Sequence, residues 1–143
     1  MSRKEIAITI TCILIIFALG FILRVESTHL IGLSMDEKGY YQDQYGLPYM
    51  YEPDSYYNYR LTKNYVEHGY IGDVKLDGKN WDIHSHYPPG VEMNYPPLIV
   101  YIATFFYKFV NAFVNVPLIV TCFWLPAFIG PISGVIAYLF VRR

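Results

Sequence analysis

Charge is scarce in this chain and cysteine scarcer: of 143 residues, 16% are charged and two are Cys, with a formal net charge of −1. That balance gives no support to nucleic-acid binding, which needs a basic patch or stripe. Cys12 and Cys122 both fall inside apolar runs and read as small buried hydrophobes, so neither a disulfide framework nor a cysteine metal site is expected. There is no phosphate-cradling glycine loop, no nucleophile elbow, no Cys/His cluster and no internal repeat. Apolar and aromatic residues fill the space, at 54% and 18%. Such a composition is too apolar for an ordinary soluble domain of this size and points to a membrane protein.

The apolar residues gather at the two ends. Ile6 to Leu23 is an uncharged run of 18 residues, just long enough to cross a bilayer as a helix. A secretory signal is the competing reading, but the run exceeds a typical signal core and no Ala-x-Ala-like site follows Arg24, so an uncleaved anchor spanning 6–24 is favoured. Arg3 and Lys4 place the N-terminus in the cytoplasm by the positive-inside rule, and residues after Arg24 outside.

The second apolar region, from Tyr95 onward, can be divided in two ways. Two crossings would leave Arg142 and Arg143 outside, against the charge rule. A surface helix over about 97–113, followed by one span over 118–141, puts both basic ends in the cytoplasm. The second division is preferred, because Lys108 and Asn111 interrupt the first run and its aromatic residues suit the headgroup level. Pro126, Gly130, Pro131 and Gly134 predict a kinked second span with small surfaces that needs neighbouring helices.

The loop between the spans, 26–117, holds every acidic residue except Glu5, yet it is too rich in tyrosine and proline to be disordered. Turns are expected at Asp36-Glu37-Lys38-Gly39 and Gly46-Leu47-Pro48. A hairpin is expected over Val74 to Trp81 about Asp77-Gly78. His84 to Gly90 and Tyr95 to Pro97 read as rigid extended elements. Glu52 to Gly69 reads as a proline-braced acidic turn, then a helix over about 55–68 with Asp54 as its N-cap and Gly69 as its stop. The fold class is therefore mostly α and integral to the membrane, with two transmembrane helices and a large structured external loop carrying surface helices.

Candidate chemistry is sparse. Asp54 could offer a hard carboxylate oxygen to a divalent cation, although capping alone accounts for it by composition. His84 and His86 would share one side of an extended strand and could meet a phosphate or a metal, or stand simply as solvated loop histidines. Arg24 could mark the membrane interface or meet an anionic headgroup. Lys63 and Glu67 form an ordinary surface pair.

Three ordered segments carry a resemblance. Asp54-Ser-Tyr-Tyr-Asn-Tyr-Arg-Leu-Thr and the helix after it, Trp81-Asp-Ile-His-Ser-His-Tyr-Pro-Pro-Gly90, and Asn94-Tyr-Pro-Pro-Leu98 resemble the first external loop of the archaeal and eukaryotic oligosaccharyltransferase catalytic subunit. Arg24-Val-Glu26 matches as well, and the methanogen-like archaeal branch is the expected one. Ser55 stands where the family usually has Pro.

The resemblance implies the N-terminal part of a C-type glycosyltransferase fold. The implied activity is transfer of an oligosaccharide from a dolichol-phosphate-type carrier to Asn of Asn-x-Ser/Thr sequons, with Mn2+ or Mg2+. It makes Asp54 the metal ligand of the first external loop, close to the acceptor amide, and leaves His84, His86 and Arg24 as lipid-phosphate candidates. The implied partners are lipid-linked oligosaccharide, an acceptor sequon, the membrane and the remainder of the catalytic subunit; nucleic acid is not among them. The family's second acidic motif and its Trp-Trp-Asp are absent, as Trp81 and Trp124 are the only tryptophans, so this length is expected to be inactive alone. A non-catalytic membrane-tethered interaction protein is the alternative; a protein O-mannosyltransferase-like acceptor fits the Asn-Tyr-Arg helix less well.

Overall fold

The computed structural model describes residues 2–94 and 97–142. The chain forms two units, Met1–Tyr49 with Trp124–Arg143 and Met50–Phe123. Among the described residues the chain has two helices long and apolar enough to cross a membrane, Arg3–Ser27 and Leu118–Val141.

In the first unit, helix α1 (Arg3–Ser27) starts earlier and ends later than the expected 6–24. Its start is fixed by a capping box: the Glu5 N–H donates to Ser2 Oγ at 3.3 Å, and the Ser2 N–H donates to the Glu5 carboxylate at 2.8 Å. Helix α2 (Met35–Tyr40) replaces the turn expected at Asp36–Gly39. A second box causes it, because Ser34 and Glu37 stand three apart and cap each other as Ser2 and Glu5 do. The next turn is as expected: Gly46 has φ 72°, and Asp43 Oδ1 accepts from the Tyr45 and Leu47 N–H groups at 2.8 and 3.0 Å.

The remaining part of this unit is the last three-quarters of a long helix, Leu118–Val141, whose bounds are those expected; it continues through Pro126 and Pro131. From Trp124 onward it runs antiparallel to α1. Phe21 meets Phe128 at 5.1 Å, Gly20 faces Pro131, Ile16 faces Gly134, and Arg142 Nη2 reaches the Glu5 carbonyl at 3.1 Å. A Cβ on Gly20 would stand 3.2 Å from Pro131 Cβ, and one on Gly134 would stand 3.2 Å from Ile16 Cγ2. Small residues therefore set the close approach of the pair. The antiparallel course brings Arg3 and Lys4 to the same end as Arg142; Arg143 lies outside the described residues.

In the second unit, helix α3 (Pro53–His68) begins two residues before the expected start. Pro53 is the reason: its fixed φ suits the first helical position, where a missing N–H costs nothing. Glu52 is thereby the capping residue and Asp54 lies inside the first turn, so the expectation of Asp54 as N-cap is corrected; no side-chain hydrogen bond caps this end. Gly69 ends the helix at φ 77°, donating to the Tyr65 carbonyl.

The hairpin follows as expected, with β1 (Val74–Leu76) and β2 (Lys79–Asp82) antiparallel and Val74 opposite Trp81. Asp77 and Gly78 both have positive φ, 50° and 79°, as the tight hairpin turn requires. A third strand, β3 (Val91–Glu92), pairs with β2 and was not expected from sequence. His84 to Gly90 is accordingly a loop returning the chain to the sheet, not an extended element. His86 has φ 53°, and Gly90 donates to the His86 carbonyl at 3.2 Å.

Helix α4 (Leu98–Asn111) is shorter than the expected 97–113. Asn111 closes it, donating to the Tyr107 and Val116 carbonyls and accepting from the Val116 N–H, each at 3.1 Å. The core of the unit is Leu61, Ile71 and Val100, with Tyr57, Tyr65 and Met93 packed around it. The other side of α4 leaves Leu98, Phe105 and Phe109 exposed. Helix α5 (Leu118–Val141) begins in this unit. Of the Tyr95-Pro96-Pro97 motif, Tyr95 and Pro96 lie outside the described residues, and Pro97 precedes α4.

Candidate functional site

The acidic loop sorts into carboxylates that are occupied and carboxylates that are free. The most heavily occupied pair flanks the hairpin. The register about Asp77-Gly78 that sets Val74 opposite Trp81 sets Asp73 and Asp82 one step further out, on opposite strands. Two like charges facing each other destabilise a sheet unless a cation joins them. Arg60 supplies it from the middle of α3, with Nη1 3.1 Å from Asp73 Oδ2 and Nη2 2.8 Å from Asp82 Oδ1. One turn further along, Asn64 Nδ2 donates to Asp73 Oδ1 at 2.9 Å.

Asp82 is 0% exposed. Its Oδ1 also accepts from the His84 and Ser85 N–H groups at 3.0 Å each, and its Oδ2 accepts from Ser85 Oγ at 2.7 Å. Burial pushes this carboxyl upward, but the hydrogen bonds from Ser85, Arg60 and the His84 backbone outweigh burial and hold it well below the usual carboxylate range.

Asp73, Asp82 and His84 bring their ligand atoms within 4.8 Å of one another, which by residue type would suit a divalent cation. The donors already present argue otherwise. Asp73 Oδ2 takes Arg60, the Ile83 N–H and His84 Nδ1 at 3.1, 3.1 and 3.0 Å, and every oxygen of the two carboxylates has a protein partner. The guanidinium is the cation of this cluster, and the arrangement is a clasp tying α3 to the hairpin. Gly90 tightens it from above: a Cβ there would stand 2.6 Å from the Asp82 carbonyl oxygen, so the His84–Gly90 loop can close over β2 only with glycine.

Asp54 is different. It is exposed on the first turn of α3, and no hydrogen bond or ion pair holds its side chain among the described residues. A carboxylate there is favoured by the helix dipole and keeps its oxygens for an external ligand. Glu52 is exposed in the same way. Of the histidines, His84 is drawn to Asp73 and remains 66% exposed, while His86 is exposed in the loop with no described side-chain partner. Neither histidine contacts Asp54 among the described residues, so the three are not gathered into one cluster. Arg24 lies in the other unit, donating from Nη1 to the Gly20 carbonyl at 2.8 Å. Lys63 and Glu67 are the exposed pair expected, 4.0 Å apart.

The residues missed from sequence are Arg60, Asn64, Asp73, Asp82 and Ser85. A signal was available: the Asp77-Gly78 turn fixes the register, the register opposes Asp73 and Asp82, and Arg60 and Asn64 share a helix face at a spacing of four.

Among the described residues the chain thus combines two apolar helices long enough to span a membrane with a packed tyrosine-rich helix, whose first turn carries a free carboxylate, and a hairpin. The chain belongs to the family described as Oligosaccharyl transferase STT3, N-terminal, which it matches over residues 21–143. It is similar to the dolichyl-phosphooligosaccharide-protein glycotransferase of Methanocaldococcus jannaschii, 30% identical over 139 residues that cover 92% of this chain and 15% of the relative. The protein of the same description from Methanococcus voltae is 28% identical over 149 residues, covering 99% of this chain and 16% of that one. The chain thus spans less than a fifth of the length of these curated relatives. No solved structure matches it significantly.

Proposed function

We propose that this chain is the N-terminal membrane region of an oligosaccharyltransferase catalytic subunit of the C-type fold. The subunit moves an oligosaccharide from a dolichol-phosphate-type carrier to Asn of an Asn-x-Ser/Thr sequon. The observation that carries this is the free carboxylate of Asp54 within the family's external-loop motif, on a helix whose orientation Arg60 fixes against the hairpin. In this reading α1 and α5 cross the cell membrane, their basic ends are cytoplasmic, 26–117 is external and the exposed apolar side of α4 lies at the membrane surface. The antiparallel pairing of α1 with α5, and Arg3, Lys4 and Arg142 at one end of it, support that orientation.

Asp54 fits a hard divalent cation, Mn2+ or Mg2+, as one oxygen ligand. Bound there, the cation would supply Lewis-acid stabilisation of charge developing on the carrier phosphate. One carboxylate is a small share of the six or so oxygen ligands such an ion takes, so the chain by itself is expected to be inactive. His84, His86 and Arg24 are assigned to the carrier phosphate, His86 on the grounds that its ring is exposed and unpartnered.

The test is a chimera in which this chain replaces the corresponding segment of the Methanococcus voltae relative. The expected result is glycosylation of a sequon peptide by the chimera and its loss by at least about 100-fold in Asp54→Ala, the scale of removing one preorganised electrostatic group. Weaker Mn2+ binding, read by electron paramagnetic resonance, should accompany that loss. A folded Asp54→Ala chimera with unchanged Mn2+ binding would refute the ligand assignment. Glycosylation by this chain alone would refute the partial-site reading.

A further inference from the structure

Arg24 is held in a way that its position at the end of a helix does not require. The apolar run of α1 from Ile6 to Leu23 is 18 residues, about 27 Å at about 1.5 Å per residue, against about 30 Å of hydrocarbon. The Cα of Arg24 therefore reaches the edge of the apolar layer, from which an arginine side chain ordinarily extends toward water. This one does not. Side chains on a helix lean toward its N-terminus, and Nη1 of Arg24 donates to the Gly20 carbonyl at 2.8 Å, one turn back along the apolar stretch.

Across the pair lies Gly130. A Cβ on Gly130 would collide with Cζ, Nε and Nη2 of Arg24, so the guanidinium lies against bare backbone of α5. Gly130 makes room for the guanidinium by carrying no side chain, and the Gly20 carbonyl holds it there, so the two positions bound a slot. No carboxylate stands within ion-pair distance of Arg24 among the described residues. Glu26, two positions on, projects from the opposite side of the helix. Arg24 is exposed at this level and has no counter-ion, so its guanidinium keeps donors for an anionic ligand.

We propose that the Gly20–Arg24–Gly130 slot is a lipid-phosphate site, in which the planar guanidinium, oriented by the Gly20 carbonyl and the Gly130 backbone, donates its remaining N–H groups to the phosphate of a lipid at the edge of the apolar layer. The chemistry recognised is a phosphate ester on a lipid tail, the anion that reaches this level and that a guanidinium holds in two-pronged fashion. The inference rests on the membrane-spanning reading of α1 and α5, and it deepens the assignment of Arg24 by naming what orients it.

The test uses the whole chain in detergent, with lipid retention measured by native mass spectrometry. One arm titrates phosphatidylglycerol and the other dolichyl phosphate, so preference between them distinguishes an ordinary headgroup from a carrier phosphate. Arg24→Gln is expected to weaken retention by at least tenfold in one or both arms. Gly130→Ala, which keeps the charge and displaces the guanidinium, should weaken it several-fold, and Arg24→Lys should fall between. Arg142→Gln is the control expected to bind as wild type. Wild-type retention by both Arg24→Gln and Gly130→Ala would overturn the proposal, as would an equal loss in Arg142→Gln. Failure of the membrane reading shows separately, in labelling of Cys12 by a charged maleimide in intact vesicles.

Discussion

Replacing Arg60 with Met removes the cation shared by Asp73 and Asp82 while keeping most of the side chain's apolar stem. Breaking a buried ion pair by deleting one partner costs about 3–5 kcal/mol, because the remaining charge stays buried. Two features favour the lower end. Arg60 is 25% exposed, which screens part of the attraction, and Asp82 keeps the His84 and Ser85 N–H groups and Ser85 Oγ. A loss of about 3 kcal/mol is expected, roughly two orders of magnitude in the ratio of folded to unfolded protein. The pH dependence has a definite sign. Asp82 is depressed in the folded chain, so the stability it contributes is full above the unfolded carboxyl pKa of about 3.9 and is lost as pH falls below it. Without Arg60 that depression shrinks, and the gap between variant and wild type should close below about pH 4. Trp81, adjacent to Asp82 in β2, is the reporter once Trp124 is changed to Phe, with urea titration in zwitterionic micelles. A loss under about 0.5 kcal/mol, the scale of an exposed pair, would refute the clasp, and so would a gap unchanged from pH 7 to pH 3.

Gly90→Ala should cost about 1–3 kcal/mol by the same Trp81 assay, since φ 93° and a Cβ 2.6 Å from the Asp82 carbonyl oxygen leave alanine no unstrained place. Asn111→Ala should speed amide exchange at Val116 at least about tenfold, because it removes the acceptor of that N–H and the side-chain donor to the Val116 carbonyl. Exchange at Leu61, in the core of the same unit, should be unaffected.

Elements whose own residues determine them were legible in the sequence. The spans follow from uninterrupted apolar length, the end of α3 from a glycine that takes positive φ, and the hairpin from an Asp-Gly pair in which both residues do. Errors arose where two local signals competed. Asp36-Glu37-Lys38-Gly39 has the composition of a turn, but the Ser34–Glu37 reciprocal cap satisfies two orphan backbone donors and the helix forms. At α3 an Asp in capping position lost to a Pro one residue earlier, whose ring already has the helical φ. Strand β3 is two residues long and has no periodicity to detect; it exists because Gly90 lets the chain fold back over Asp82.

The candidate site was singled out in the sequence by the resemblance, not by its own residues. Sequence makes each of eleven carboxylates in the loop eligible as a ligand, and only the fold distinguishes them. Asp73 and Asp82 answer to Arg60, Glu37 to Ser34, Asp43 to its own turn, Glu92 to Lys79 and Glu67 to Lys63. Glu26, Asp36, Glu52, Asp54 and Asp77 remain without a side-chain partner among the described residues. Of these, Asp54 alone lies in the first turn of a helix that is both several turns long and tied down, since Arg60, six residues on, fastens α3 to the sheet and Leu61 buries it against Val100, whereas Glu26 lies in the last turn of α1. A ligand must be held within a fraction of an ångström to be useful, and a carboxylate on a loop tip such as Asp77 is not. The clasp and the free carboxylate are therefore parts of one arrangement: Asp73 and Asp82 are used up in fixing the helix, and Asp54 can be left unsatisfied because they are.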